Sequence, residues 1–324
     1  MGKFMQETSI PNDGTLMPFA LDRDPKGIIT QAIADPVFDI DGVPVYYTNS
    51  RWCAFILRAD EKELKRILPE PLQLEDDIVE FWYVDHNNTS LGPYYEMGVT
   101  ISASYQGYKG GYYPYMYLTS DAGVWAGRDP FGFPKKVGHI SVLEHGGKFD
   151  NGYEKPGNDF FSFFLERWGY VIHTATGRYT GNKMSDLKAL PKFYGKTDWG
   201  RFNYRVHSSP DLTRTEYALT YLDSLYEGEH RFQLKMDSIR TAQPEDIRTW
   251  YMGTSPFDNM AAYIRVVELI GLVSFNFDLI IPAAKTLWTK TVTRTPEEIT
   301  KHAVMMEPKY KYSMRMRFPM PVGV

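Results

Sequence analysis

The sequence has a single cysteine, Cys53, so the chain cannot form an internal disulfide. Its first residues, MGKFMQETSIPNDG, lack the apolar run of a signal peptide, and together with the scarcity of cysteine this predicts a cytoplasmic protein. The longest apolar stretch, residues 261–284, is interrupted by Arg265, Glu268 and Asp278. We therefore expect no membrane span and no membrane partner.

The patterns that hold nucleotides and metals are also missing. Gly195, Lys196 and Thr197 resemble the end of a phosphate loop, but the position where that loop needs a further glycine is Leu190. No G-x-G-x-x-G motif follows an expected strand, and the seven histidines are scattered without a close pair. The formal net charge of −4 disfavours a nucleic-acid partner. We expect neither metal binding nor nucleic-acid binding.

Aromatic residues and glycine are abundant: the chain has 23 Tyr, 19 Phe, 7 Trp and 26 Gly. Short segments rich in aromatic and β-branched residues, such as DIVEFWYV and EMGVTISASYQGY, are separated by Gly, Pro, Asn or Asp clusters at hairpin-like intervals. This spacing favours an antiparallel sheet or barrel over β-α-β units. Helices are predicted at residues 244–250, 259–270 and 296–306.

We expect the chain to consist of three parts. Residues 1–44 are rich in Pro, Gly and Asp and are expected to form an extended arm, residues 45–290 to form the main domain, and residues 291–324 a helix and a strand-like tail. In that tail, KYKYSMRMRF alternates basic or polar residues with aromatic and apolar ones, which is strand periodicity. We expect it to pack on its own core or across a subunit boundary.

Two adjacent lysines, Lys135 and Lys136, stand out in the segment AGRDPFGFPKKVG. A lysine amine attacks a ketone only when neutral, so its ordinary pKa of ~10.4 must fall, and both apolar burial and a neighbouring cation lower it. Phe131, Phe133 and Val137 offer apolar walls. On a strand the two lysines would face opposite sides, so one enters a given pocket while the other acts through space or holds the strand. The alternative is a solvated lysine pair at a hairpin edge.

This segment resembles the active-site segment of the acetoacetate decarboxylase family, in which a reactive lysine beside a second cation is the standard example of an activated amine. That family's signature is Gly-Arg-Glu, a few residues, then aromatic-Pro-Lys-Lys-Leu-Gly. Here GRD and FPKKVG follow it at the same spacing. The likeness extends upstream through NNTSLGPYYEMG and more weakly downstream through LIGLVSFNFDLIIPAAKTLW, over roughly residues 45–290.

The resemblance implies an α+β fold with an antiparallel, barrel-like β-sheet core and flanking helices, a homo-oligomer, and no metal or organic cofactor. It makes Lys135 the Schiff-base nucleophile and Lys136 the neighbour that tunes or places it. Glu96, in PYYEMG, falls at the family's active-site glutamate. Phe133 is expected to contact the substrate.

Two positions depart from the family pattern. Decarboxylases of the family carry an arginine just before the first core strand, and ungapped counting reaches Ser50 here, with Arg51 one residue later. Arg51 either binds a substrate carboxylate after a one-residue shift or faces outward on a loop. A further pocket glutamate is replaced by Trp82; Glu80 lies two residues earlier on the same strand face and is a candidate substitute, the alternative being an aromatic wall.

The resemblance implies a lyase that forms a Schiff base between Lys135 and a β-keto acid or related carbonyl compound. Decarboxylation through an enamine is the leading reaction. The same imine supports an alternative, aldol addition with dehydration. A second alternative is a non-catalytic protein that binds a small molecule in the same pocket.

Overall fold

The computed structural model describes residues 45–144, 159–196, 198–223, 232–281 and 283–300, and these residues form two β-sheets with a few short helices. The expected arm at residues 1–44 and the tail beyond residue 300 lie outside the described residues.

The larger sheet has ten strands. They are β1 (Val45–Ala59), β2 (Gln73–His86), β3 (Tyr94–Tyr105), β4 (Tyr108–Leu118), β5 (Lys135–Val137), β9 (Gly200–Ser208), β10 (Arg214–Leu222), β11 (Phe232–Ala242), β13 (Val266–Ile281) and β14 (Lys285–Thr293). The smaller sheet has four strands, β6 (His139–Glu144), β7 (Phe160–Arg167), β8 (Tyr170–Arg178) and β12 (Ile247–Met252). The helices are α1 (Glu61–Ile67), α2 (Asp121–Phe131) and α3 (Met260–Tyr263).

The order of the large sheet is β11-β13-β1-β2-β3-β4-β9-β10-β14, with β5 paired to β4. Neighbouring strands are antiparallel except at β4, which pairs in parallel with β9 through Gly110 to Tyr112 and with β5 through Met116 to Leu118. The α+β class with a mainly antiparallel sheet is confirmed. The barrel-like expectation is corrected: within the described chain β11 and β14 are the two ends of this order, so the sheet does not close on itself.

Side chains on both faces of the large sheet are buried, because a different layer covers each face. On one face Phe55 of β1 packs edge-on against Phe161 and Phe163 of the small sheet, with ring centroids 5.9 and 5.6 Å apart. On the other face Ile56 belongs to a second apolar cluster that includes Phe131 at the end of α2. Alternate residues of one strand therefore enter two different environments.

The lysine segment is not part of a hairpin. The chain leaves β4, forms α2 and returns as β5 parallel to β4. This is a β-α-β unit, which the spacing of the segments disfavoured. Ser120 caps the start of α2 by accepting a hydrogen bond from the Gly123 amide, and Gly132 ends it at φ 82°, a left-handed conformation that suits glycine. The sequence did not predict α2, because the helix contains Gly and Pro residues that are typical of turns and loops.

Two of the three helix predictions were wrong. Residues 244–246 form one 3₁₀ turn and lead into β12, and residues 259–270 contain only the four residues of α3 before β13 begins. The helix expected at 296–306 begins at residue 296 and is described to residue 300, with Thr295 and Glu298 bonded to each other's backbone amides. No helix in the described ranges is long and apolar enough to cross a membrane.

Candidate active site

Lys135 and Glu96 form a buried ion pair on one face of the large sheet. β5 places Lys135 opposite Met116 of β4, and β3 places Glu96 opposite Leu118, so both side chains meet at the same end of β4. Lys135 Nζ lies 3.2 Å from Glu96 Oε1 and 3.4 Å from Oε2. The two residues are only 5% and 3% exposed, so the charges interact with little screening by water.

His86 and Ser50 extend this pair into a chain of polar groups. His86 Nε2 lies 3.7 Å from Glu96 Oε2, and its Nδ1 lies 2.8 Å from Ser50 Oγ. Burial would raise the pKa of Glu96, but the Lys135 ammonium and the His86 ring outweigh it and hold that pKa below its ordinary value. Burial lowers the pKa of His86, against the opposing pull of Glu96. Glu96 is therefore a carboxylate and His86 a neutral imidazole at neutral pH.

The wall around the Lys135 amine is formed by Phe133 and by the backbone of α2. The amine nitrogen lies 5.4 Å from the centroid of the Phe133 ring. A Cβ at Gly127 would lie 2.5 Å from Lys135 Cδ, so only glycine lets α2 approach the lysine stem this closely. Phe133 in turn packs 5.6 Å from the Tyr113 ring. One side of the amine is therefore apolar and the other is Glu96.

Lys136 points to the opposite face and does not join Lys135. Its Nζ lies 2.7 Å from Oδ1 of Asp258, which also accepts a hydrogen bond from the Tyr117 hydroxyl at 2.9 Å. Arg167 Nη1 contacts the other oxygen of Asp258 at 2.7 Å. Burial would raise the pKa of Asp258, but its hydrogen bonds with Lys136 and Arg167 outweigh burial and hold that pKa below its ordinary value. Of the two roles that the sequence left open for Lys136, this geometry fits the one that holds the strand.

The structure brings Ser50, and not Arg51, to the Lys135 cluster. Arg51 lies within β1, not on a loop, and faces the small sheet. There its Nε contacts Glu144 Oε2 at 2.9 Å and its Nη1 donates to Asn276 Oδ1 at 2.9 Å. The expected role of Arg51 in holding a substrate carboxylate would need it on the other face, so this geometry does not support that role. Its guanidinium instead joins β1 to β6.

Glu80 and Trp82 lie on the Lys135 face, as strand alternation requires. The Trp82 ring stacks on Trp52 with centroids 4.5 Å apart, and Trp52 Nε1 donates to Glu80 Oε1 at 2.9 Å. Trp82 fits because Gly98 lies opposite it, where a Cβ would come within 2.3 Å of the indole ring. Burial raises the pKa of Glu80, opposed by hydrogen bonds from Tyr194 and Trp52. The structure places an aromatic surface and a buried carboxylate side by side here, and a substrate contact of Glu80 or Trp82 stays a prediction.

Sequence reasoning missed several groups that the fold brings to these two faces. His86 was one of seven scattered histidines, and Asp258 lies 122 residues from the lysine that it contacts. Tyr113 and Arg201 also lie on the Lys135 face. The β2 and β3 register, which sets His86 opposite Tyr94, could have indicated the histidine only after the strand pairing was known.

Other candidate sites in the described ranges offer less chemistry. No group of three His, Cys, Asp or Glu side chains there could hold a metal ion. An open groove of about 630 Å³ lies beside α1, but charged side chains that pair with one another line much of it, and it contains none of the site residues.

Comparison with known proteins places this chain in a family. The family model described as acetoacetate decarboxylase matches residues 36–288. The chain belongs to the acetoacetate decarboxylase family. One curated relative, an acetoacetate decarboxylase from Clostridium botulinum, is 38% identical over 117 residues, which are 36% of this chain and 47% of the relative. The matched segment thus spans about half of that protein.

Solved structures of other proteins share the fold at low sequence identity. Acetoacetate decarboxylase from Legionella pneumophila superposes with a TM-score of 0.60 at 19% identity, covering 76% of this chain and 88% of that one. The enduracididine biosynthesis enzyme MppR superposes with a TM-score of 0.60 at 14% identity, covering 84% of this chain and 98% of that one. At these identities the likeness establishes a common fold for all three chains.

Proposed function

We propose that this protein is a lyase that forms a Schiff base between Lys135 and the carbonyl carbon of a β-keto acid and then releases carbon dioxide. The observation that supports it best is the buried contact between Lys135 and Glu96 beside the Phe133 ring. Membership of the acetoacetate decarboxylase family supports the same chemistry.

Covalent catalysis at Lys135 needs a neutral amine, and Glu96 is placed to accept its proton. The amine attacks the ketone carbon, water leaves, and a protonated imine remains. The bond between the α-carbon and the carboxylate then breaks, its electron pair moves into the imine to give an enamine, and carbon dioxide departs. Protonation of the α-carbon and hydrolysis of the imine release the ketone and restore the lysine.

The apolar side of the site favours the bond-breaking step. A carboxylate loses its charge when it leaves as carbon dioxide, so a wall that solvates the anion poorly raises the energy of the bound acid more than that of the transition state. Phe133 and the stacked pair of Trp52 and Trp82 supply such surfaces on this face.

The polar chain of Ser50, His86 and Glu96 favours a second candidate, an aldolase that dehydrates its product. Aldol addition and loss of water both require protons to move to and from the bound substrate, and a neutral imidazole between a hydroxyl and a carboxylate suits that task. MppR, a structural relative, has been solved with the condensation product of pyruvate and imidazole 4-carboxaldehyde.

Two readouts on the same samples test these proposals. The protein is incubated with β-keto acids, and with pyruvate plus an aldehyde, and carbon dioxide in the headspace is measured beside condensation products in solution. A decarboxylase releases carbon dioxide from the keto acid alone, whereas an aldolase forms product only when both partners are present. A non-catalytic binding protein gives neither and forms no adduct when borohydride is added. The homo-oligomer and the cytoplasmic location stay predictions.

A further inference from the structure

A second cation, Arg201, lies on the Lys135 face of the large sheet. Arg201 is half-buried on β9 and pairs in register with Gly111 of β4. Its Cδ lies 3.6 Å from the place that a Cβ of Gly111 would occupy, so the side chain runs over β4. From there its Nη1 donates to the Gly200 carbonyl oxygen at 3.0 Å, and its charge acts on the Tyr113 hydroxyl.

Aromatic rings connect this arginine to the reactive lysine. The Tyr113 ring packs 5.6 Å from the Phe133 ring, and the Phe133 ring lies 5.4 Å from Lys135 Nζ. The Trp82 ring flanks Tyr113 at 6.1 Å. The face therefore has an amine at one end, an aromatic surface in the middle and a guanidinium at the other end.

Buried groups hold the Arg201 end of this face in place. Glu80 is 3% exposed, accepts hydrogen bonds from Trp52 Nε1 at 2.9 Å and from the Tyr194 hydroxyl at 2.5 Å, and adds a counter-charge near Arg201. Burial raises the pKa of Tyr113 to about 12, with Arg201 opposing the shift and Glu80 reinforcing it. At neutral pH Tyr113 is thus a hydroxyl that can donate a hydrogen bond.

A guanidinium and a neutral hydroxyl together are a typical binding pair for a carboxylate. The family pattern puts a cation for a substrate carboxylate at the position of Ser50, which carries no charge here and bonds His86 instead. Arg201 supplies a cation to the same face from a different strand, β9.

We infer that Arg201 and the Tyr113 hydroxyl bind an acid group of the substrate that is remote from the carbonyl carbon attacked by Lys135. This inference rests on the proposed Schiff base. The substrate class that fits is a β-keto acid with a second carboxylate, which stays bound at Arg201 while the first leaves as carbon dioxide. The rings of Tyr113 and Phe133 would then lie along the carbon chain that joins the two ends.

Borohydride trapping with matched probes tests the inference without depending on turnover. Levulinate, and its homologues longer by one or two methylenes, are stable methyl-ketone acids; the methyl alkyl ketones of the same chain lengths lack only the acid. The concentration that half-saturates labelling of Lys135 is measured for each probe by peptide mass mapping. The wild-type protein, Arg201→Gln, Tyr113→Phe and the control Arg205→Gln, an exposed arginine on the same strand, are compared.

In the wild type we expect at least one acid to half-saturate labelling of Lys135 at a concentration about 10- to 100-fold lower than its neutral match requires. Only the acid can form charge-assisted hydrogen bonds with Arg201 and Tyr113. Arg201→Gln should remove that preference and leave labelling by the neutral ketones unchanged, Tyr113→Phe should reduce it several-fold, and Arg205→Gln should keep it. If Arg201→Gln also loses neutral labelling, its fold is damaged and Tyr113→Phe decides the question.

If Arg201→Gln still labels with neutral ketones and keeps the acid preference, the inference is overturned while the Schiff base stands. If Arg201→Gln has lost neutral labelling, an unchanged acid preference in Tyr113→Phe has the same consequence. A wild type that labels with neutral ketones but prefers no acid would do the same. A wild type that labels with neither class of probe would overturn the Schiff base and the inference together, so the two failures are distinguishable.

Discussion

Lys135 and Lys136 are adjacent in the sequence but lie in two different regions of the molecule. Lys135 is 5% exposed and contacts Glu96 beside an aromatic wall, whereas Lys136 crosses to the other face and contacts Asp258. In the proposed mechanism the first environment surrounds the amine that reacts. The second compensates a charge and ties β5 to a distant part of the chain. Adjacent cations thus have separate tasks, and the strand face decides which task each one has.

The same division appears at Ser50 and Arg51 on β1. Ser50 faces the Lys135 cluster through His86, and Arg51 faces the small sheet and contacts Glu144. One face of the large sheet therefore carries the proposed chemistry, and the other joins the two sheets. Exchanging groups between the faces should break function on one side and stability on the other.

The largest effect is expected from the lysines themselves. Lys135→Ala should lower kcat/KM on a β-keto acid by about 10³-fold or more, because the nucleophile is lost, while Lys136→Ala should cost about tenfold through a misplaced strand. Lys65→Ala, an exposed lysine on α1, is the control and should change nothing. A larger loss from Lys136→Ala than from Lys135→Ala would reverse the assignment of the two faces.

Glu96→Gln should have the next largest effect on activity. The amide keeps the size of the side chain but cannot accept the proton of the Lys135 ammonium, so kcat should fall by about 10²-fold. Glu61→Gln, an exposed glutamate on α1, provides the control. Steady-state rates of carbon dioxide release measure both, and a Glu96→Gln enzyme as fast as the control would remove Glu96 from the mechanism.

Asp258→Asn tests the opposite face through stability. It leaves Lys136 and Arg167 without their carboxylate, and we expect a loss of about 2 kcal/mol in the free energy of unfolding, less than for a fully buried pair because the Lys136 side chain is 33% exposed. Urea unfolding measures this loss. In a Lys136→Ala background the loss should be smaller, since one partner is already gone. Equal losses in both backgrounds would mean that the two groups are not coupled.

Acid sensitivity compares one buried histidine on each face. Burial lowers the pKa of His173, among Phe55 and Tyr83, to about 3 and also lowers that of His86. An unfolded histidine binds a proton below pH ~6.5. Stability is therefore present above that pH and falls as the pH drops towards the folded values, by about 1.4 kcal/mol per unit for each group.

The raised pKa of Asp85, about 6 because of burial, acts in the opposite direction, so the difference between variants is the useful quantity. Urea unfolding of His173→Phe between pH 7 and pH 5 should show a flatter dependence than the wild type by up to that slope. Parallel curves for the two proteins would show that His173 is protonated in the folded state.

The sequence could predict features that lie within one short segment, but not those that depend on how strands pair. Lys135 and Phe133 were visible because their chemistry is concentrated in one short segment, and Glu96 because a second segment resembles the family. The strand β13 was mistaken for a helix near its start, since its first residues, VVELI, place a charged residue among apolar ones and show no strict alternation.

Contacts between distant segments could not be read in advance. Segments far apart in the sequence pair or pack together, and this brings three pairs of groups close: Ser50 and His86, Lys136 and Asp258, and Arg201 and Tyr113. No spacing within one segment carries that information. Alternation along a strand predicts that two residues lie on the same face, as for Glu80 and Trp82. It does not predict which other residues they contact on that face.

The central claim is that Lys135 alone, and not its neighbour, forms an imine. Treatment of the wild-type protein with a methyl ketone and borohydride, followed by peptide mass mapping, tests it most directly, because the peptide covering residues 126–138 contains both lysines and fragmentation separates them. We expect one reduced adduct, on Lys135, which disappears in Lys135→Ala and persists in Lys136→Ala. An adduct on Lys136, or none on either lysine, would contradict it.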